Sequence, residues 1–159
     1  MSIVQKVPYI CGPLTELDPL RMRYAKNFYE RIAECLDGLL EVRSFVPHMH
    51  YDPERHCHFT PRDVDLAERD QVCNRTSLLV VVAVDPSWGG GIEVEMANQS
   101  GVPAVVLCEE EKLRNRKISR LLRGNPAVRA VIECYNIDQA LARLAKWVNS
   151  FADAQLFLP

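Results

Sequence analysis

The chain has 159 residues, 48% of them hydrophobic and 25% charged, with a formal charge of −2 at pH 7. That length and balance fit one soluble globular domain, 1–159, with a sizeable core, and the charge gives no reason to expect a nucleic-acid or membrane partner. No apolar run approaches the roughly 20 residues of a spanning helix, no leader segment is read, and the cysteines are scattered without a CxxC pair, which predicts a cytoplasmic protein with reduced, mostly buried thiols.

Val7–Cys11 reads as a short apolar strand, followed by the turn signal Gly12-Pro13. Asp18-Pro19 is an N-cap and N1 pair, after which Met22, Ala25, Phe28, Tyr29, Ile32, Cys35 and Leu36 recur at helical spacing until Gly38. Val42–Val46 reads as a second strand closed by Pro47, and residues 48–62 as a long polar loop. Asp63–Thr76 is predicted helical and feeds a central strand, Leu78–Val84, followed by a glycine loop and a helix from Ile92 to Ser100-Gly101. Val102–Cys108 and Ala127–Cys134 are further strands, with helices at Lys112–Arg123 and Asp138–Phe151. This alternation predicts an α/β, three-layer flavodoxin/Rossmann-like fold, with about five parallel strands and helices on both faces. Ligands then belong at the carboxyl ends of the strands. That edge collects Cys11–Thr15, Pro47–Tyr51, Asp85–Glu93 and the segment after Cys108.

The central stretch, LLVVVAVDPSWGGGIEVEMA (Leu78–Ala97), carries the clearest chemistry. A fully apolar strand runs into Asp85-Pro86-Ser87, then Gly89-Gly90-Gly91, then a helix start with Glu93 in its first turn. Free N–H groups at a helix start, with the Ser87 hydroxyl, can hold an anion such as a phosphate. The same partial charge favours an ionised Glu93, which beside a phosphate cradle can attack an electrophilic sugar carbon. The same residues would also serve as a tight turn followed by an ordinary first-turn acid.

Other motifs narrow the field. GGGIEV lacks GxGxxG spacing and no GxxxxGK[ST] occurs, which excludes the common dinucleotide and P-loop sites. His48, His50, His56, Cys57 and His58 crowd one loop, but no CxxC-type pair anchors a metal there. The loop reads first as polar, with one histidine, His48, turned to a substrate. The basic set Lys112, Arg114, Arg116, Lys117, Arg120 and Arg123 reads as a solvated helix face or a subunit edge near an anion. Asp70, on the helix feeding the central strand, is either a surface acid in the run AERD or the second carboxylate that glycosidic chemistry uses.

PSWGGGIEVEMA (Pro86–Ala97) resembles the PSxGxGxExxxA signature of the 2'-deoxynucleoside 5'-phosphate N-hydrolases, the Rcl-like branch of the nucleoside 2-deoxyribosyltransferase superfamily. YICGPLT (Tyr9–Thr15) resembles that superfamily's first strand and loop, and KISRLLRG (Lys117–Gly124) resembles the hydrolases' SxxxRG segment. Glu95 stands where the family usually has glycine, and Pro13-Leu14-Thr15 is closer to the transferase loop. The resemblance implies Glu93 as nucleophile, Asp70 as the acid assisting base departure, and Tyr9 beside sugar and nucleophile. Ser87, Gly89 and Gly91 would bind a 5'-phosphate, with Ser119 contributed by the partner chain of a homodimer. Cys11, Gly12 and Leu14 would line the base pocket. The activity so implied is hydrolysis of (2'-deoxy)nucleoside 5'-monophosphates with no metal or organic cofactor. Its rivals are base exchange by a deoxyribosyltransferase and a nucleotide sensor without chemistry.

Overall fold

The structure, a computed structural model, describes residues 5–155. In chain order its elements are β1 (Val7–Cys11), α1 (Pro19–Leu40), α2 (His48–Tyr51), α3 (Pro61–Arg75), β2 (Thr76–Val82), α4 (Trp88–Gln99), β3 (Ala104–Glu109), α5 (Glu110–Arg114), α6 (Arg120–Arg123), β4 (Val128–Cys134) and α7 (Ile137–Gln155). The strands form a parallel sheet in the order β1-β2-β3-β4.

Strand alternation splits the core in two. Ile10, Val80, Val82, Val105 and Leu107 face Phe28, Ile32 and Leu36 of α1 and Leu144 and Val148 of α7. Tyr9, Cys11, Leu79, Val81 and Val106 face Val72 of α3 and Val94 and Ala97 of α4. A helical layer therefore covers each side of the sheet. Tyr9 and Cys11, two residues apart, share the face under α3 and α4.

The sheet has four strands rather than five among the described residues. Val42–Val46 makes only one bridge, Phe45 to Tyr9, through Phe45 N–H to the Pro8 carbonyl (2.7 Å) and Ile10 N–H to the Phe45 carbonyl (2.9 Å). Its pairing is cut short on both sides. The Ser44 N–H is drawn to the Asp37 carboxylate at 2.6 Å, and Pro47 has no N–H to offer. That bridge lies on the free side of β1, so the segments follow the 2-1-3-4-5 order of flavodoxin-like sheets, whose switch point lies between the first and third segments. Here that switch point lies between β1 and β2.

Three helix boundaries also differ from the sequence expectation. Asp18 caps α1 by accepting from Leu20 and Arg21 N–H, but the helix passes Gly38 and stops only at Glu41, whose φ is 54°. Packing of Leu40 on the α1 core outweighs the modest helix penalty of one glycine. The expected helix 112–123 is broken into α5 and α6, with Arg116 at φ 57° and Ile118 buried between them. Lys112 is not a free surface cation. It donates to the Val84 carbonyl and lies 3.7 Å from Asp85, tying α5 to the end of the central strand.

The third difference concerns the glycines. α4 begins at Trp88, so Gly89-Gly90-Gly91 form its first turn and Glu93 sits in the second. None of the three has a positive φ; among described glycines only Gly101, just past the helix end, does. They do not make a left-handed turn. A Cβ at Gly89 or Gly91 would meet open space, whereas one at Gly90 would lie 3.2 Å from Cys11 Sγ.

Candidate active site

The cluster at the switch point between β1 and β2 is built from the sheet upward. Tyr9 and Cys11 point from β1 toward α4, and α4 returns Glu93 to them. Tyr9 Oη donates to Glu93 Oε1, and Cys11 Sγ donates to Oε2 at 2.7 Å. The carboxylate is 7% exposed, and both of its oxygens accept from β1. Burial raises the Glu93 pKa and outweighs the two donors, which lower it. Burial, and then the Glu93 charge, push the Tyr9 phenol and the Cys11 thiol well above their ordinary values, so both remain protonated donors.

A second carboxylate belongs to this cluster, and it is Glu68. Burial, then the charge of Glu93 and that of Asp65, push it up to about 7. Asp70 is not brought to the cluster. It is 46% exposed, pairs with Arg75 at 2.8 Å and accepts from Asn74 Nδ2 at 2.9 Å. Two residues on a helix are about 200° apart, so Glu68 and Asp70 cannot share a face. The sequence held a signal for the buried position of Glu68. Val64, Glu68 and Val72 follow at i, i+4 and i+8, which places an acid inside the apolar stripe of an otherwise polar helix.

The N-terminus of α4 lies one turn before Glu93. The Ser87 hydroxyl accepts from Gly90 N–H at 3.1 Å and the Ser87 carbonyl from Gly91 N–H at 3.2 Å, so the hydroxyl proton and the N–H groups of Trp88 and Gly89 are the donors an anion would meet. Gly90 links the two: a Cβ there would lie 3.3 Å from Ser87 Oγ and 3.2 Å from Cys11 Sγ, the thiol that donates to Glu93. Gly89 and Gly91 keep the first turn bare, and Trp88 beside them is 94% exposed.

The other expected site residues fall elsewhere. Gly12 serves a close approach: a Cβ there would overlap the Tyr29 ring at 2.5 Å, and Tyr29 Oη donates to the Pro13 carbonyl at 2.9 Å. Leu14 packs, partly buried, on the α1/α7 core rather than beside Glu93. His48 is 3% exposed, with Nε2 at 2.8 Å from Glu30 Oε1 and its ring against Tyr29, so it does not face an open pocket. Ser119 is exposed and caps α6 by accepting from Leu122 N–H at 3.3 Å.

The histidine-rich loop is organised by rings and by one buried acid. Tyr9, Phe45 and His50 stack in a column, with centroids 5.3 and 4.5 Å apart and interplanar angles of 17° and 10°. Burial lowers the His50 pKa, as do His56 and Arg43, which favours the neutral ring in the stack. Asp52 is buried, pairs with Lys26 of α1, and accepts from Glu54 and Arg55 N–H at 2.9 and 3.1 Å. His56 Nδ1 accepts from Asp52 N–H, so its lone pair is engaged within the loop. Among the described residues no group of three histidine, cysteine or acidic side chains is placed to hold a metal, and no helix is long and apolar enough to cross a membrane.

No protein-family model matches the chain, and no curated protein matches it. Solved structures do. The structure of Clostridium botulinum CMP N-glycosidase, BcmB, is similar with a TM-score of 0.64 over 89% of this chain and 99% of that one, at 16% identity. A conserved protein from Enterococcus faecalis V583 is similar with a TM-score of 0.59 over 89% and 98%, also at 16% identity. Likenesses at that identity define a class by its fold: a parallel α/β sheet with the connectivity on which a nucleotide N-glycosidase is also built.

Proposed function

We propose that the protein hydrolyses the N-glycosidic bond of (2'-deoxy)nucleoside 5'-monophosphates. The observation that carries this is the position of Glu93: a buried carboxylate, fixed at both oxygens by β1, one turn from a helix N-terminus open to an anion. A 5'-phosphate on that N-terminus sets the sugar against Glu93. The fold shared with a CMP N-glycosidase supports this reading, and cytidine monophosphate is accordingly the first substrate to try.

In the first step a Glu93 oxygen bonds to the anomeric carbon as the bond to the base nitrogen breaks, and the electron pair leaves with the base. A nucleobase anion is a poor leaving group, so a proton must reach it in the same step. Glu68 takes that role in place of Asp70. Two neighbouring carboxyl groups divide the work, Glu93 attacking as the carboxylate that Tyr9 and Cys11 hold, and Glu68, pushed up to about 7, donating as the acid. Water then adds to the anomeric carbon, giving up its proton to Glu68 and releasing sugar 5-phosphate and the Glu93 carboxylate. In a homodimer, the exposed Ser119 hydroxyl of a second copy would complete the phosphate contacts.

The test is chromatographic: free base is measured after incubation with a panel of nucleoside 5'-monophosphates and the matching nucleosides, with and without a second base as acceptor. Base released from monophosphates without an acceptor is the expected result. Release only when an acceptor base is present identifies a transferase, and no release from any of them overturns the proposal.

A further inference from the structure

The Cys11 thiol has no place in the chemistry above, yet it occupies one of the two oxygens of the nucleophile. We infer that Cys11 is a positioning residue for Glu93: its S–H, donated to Oε2, fixes the carboxylate plane opposite Tyr9 and helps to hold it ionised. The inference rests on the assignment of Glu93 as nucleophile.

Three observations carry it. The Sγ–Oε2 distance is 2.7 Å, and Tyr9 Oη meets the other oxygen, so the carboxylate is gripped from both sides by residues of a single strand. Cys11 is fully buried at the end of β1, where Gly12 and Pro13 leave the strand, so its Sγ cannot swing to solvent. Finally, Gly90 is the glycine of α4 whose missing Cβ matters: an added one would stand 3.2 Å from Sγ and 3.3 Å from Ser87 Oγ. The helix is thus bare where the thiol passes. Cys11 joins the sheet, the nucleophile and the first turn of α4.

Burial opposes the charge of Glu93, Cys11 and Tyr9 from β1 stabilise it, and the acid facing it is Glu68 of α3, which the Glu93 charge itself pushes up. A carboxylate this buried is inclined to take up a proton, and each donor opposes that. Removing the thiol therefore moves the Glu93 titration to higher pH. Serine keeps an O–H in the same place, whereas alanine keeps only the methylene. A purely space-filling role predicts that serine and alanine behave alike.

The experiment uses the full-length chain carrying 13C-labelled glutamate side chains, with the Glu93 resonance assigned by its loss in Glu93→Gln. The titration midpoint of Glu93 is expected to rise in Cys11→Ala and to return toward the parent's in Cys11→Ser. Because no substrate is involved, this readout stands even if the proposed activity fails. Where the parent releases base, kcat for Cys11→Ala should fall on the order of tenfold with KM nearly unmoved, and the acid limb of kcat/KM should shift to higher pH. Gly90→Ala should impair the parent more than it impairs Cys11→Ala, since the clash with Sγ is then gone. An unmoved midpoint in folded Cys11→Ala, or a serine variant as altered as the alanine one, overturns the inference.

Discussion

At the residue scale the site depends on how burial sorts three acids. Glu93 of α4 raises the pKa of Glu68 of α3 through its charge, while Asp70 points to Arg75 and Asn74 in solvent. If Glu68 is the proton donor, kcat/KM falls as pH rises through about 7, because the donor is then lost. Glu68→Gln should lower kcat by roughly 10²–10⁴-fold and remove that alkaline limb. Asp70→Asn should leave both rate and profile close to the parent's. A pH–rate profile for each variant decides between them, and an Asp70→Asn variant without activity would restore the assignment made from the sequence. The difference between the two assignments has a physical source. The resemblance runs along the chain and tolerates a shift of a residue or two, but on a helix such a shift turns a side chain to the opposite face. Only the placement of Glu68 between Val64 and Val72 in the apolar stripe could have corrected it.

At the element scale the central unit is β2 with the start of α4. In the sequence the glycines read as a loop ahead of a helix starting at Ile92; the structure moves that start four residues earlier, to Trp88, with Ser87 as its cap. Glycine is ambiguous there, since it suits a turn as well as a bare first helical turn, and only the negative φ values and the contact between Gly90 and Cys11 separate the two. Ser87→Ala removes the hydroxyl that caps Gly90 N–H and is expected to cost about 1 kcal/mol of stability. It should also raise KM for a nucleoside monophosphate while leaving turnover of the matching nucleoside, where measurable, unchanged. Equal losses on both would mean that Ser87 acts only as a cap.

At the scale of the whole molecule, the parallel α/β architecture was legible because continuous apolar runs mark strands buried on both faces. The exact reach of the sheet was not, since Val42–Val46 has strand composition but loses its pairing to Asp37 and Pro47. The loop that follows was read as polar, and its fixed point, Asp52, could not be seen without its partner on α1. Burial alone would raise the Asp52 pKa, but Lys26 and the N–H groups of Arg55 and Glu54 outweigh it and hold it to about 2. A carboxylate depressed in the folded state stabilises the fold above its ordinary range and loses that contribution as pH falls toward 2. Asp52→Asn should therefore flatten the acid limb of stability measured by thermal unfolding, and Lys26→Ala, which leaves the buried acid unpaired, should cost about 3 kcal/mol. The central claim is that the chain cleaves a nucleotide through a covalent sugar on Glu93, and one measurement reaches it directly. Cytidine monophosphate is turned over in aqueous methanol, and the anomeric configuration of the methyl glycoside 5-phosphate is read by proton NMR. Two displacements at the anomeric carbon return the β configuration of the nucleotide, so the β anomer is expected from the parent and no product from Glu93→Gln. An α product, or cleavage that survives in Glu93→Gln, would contradict the account.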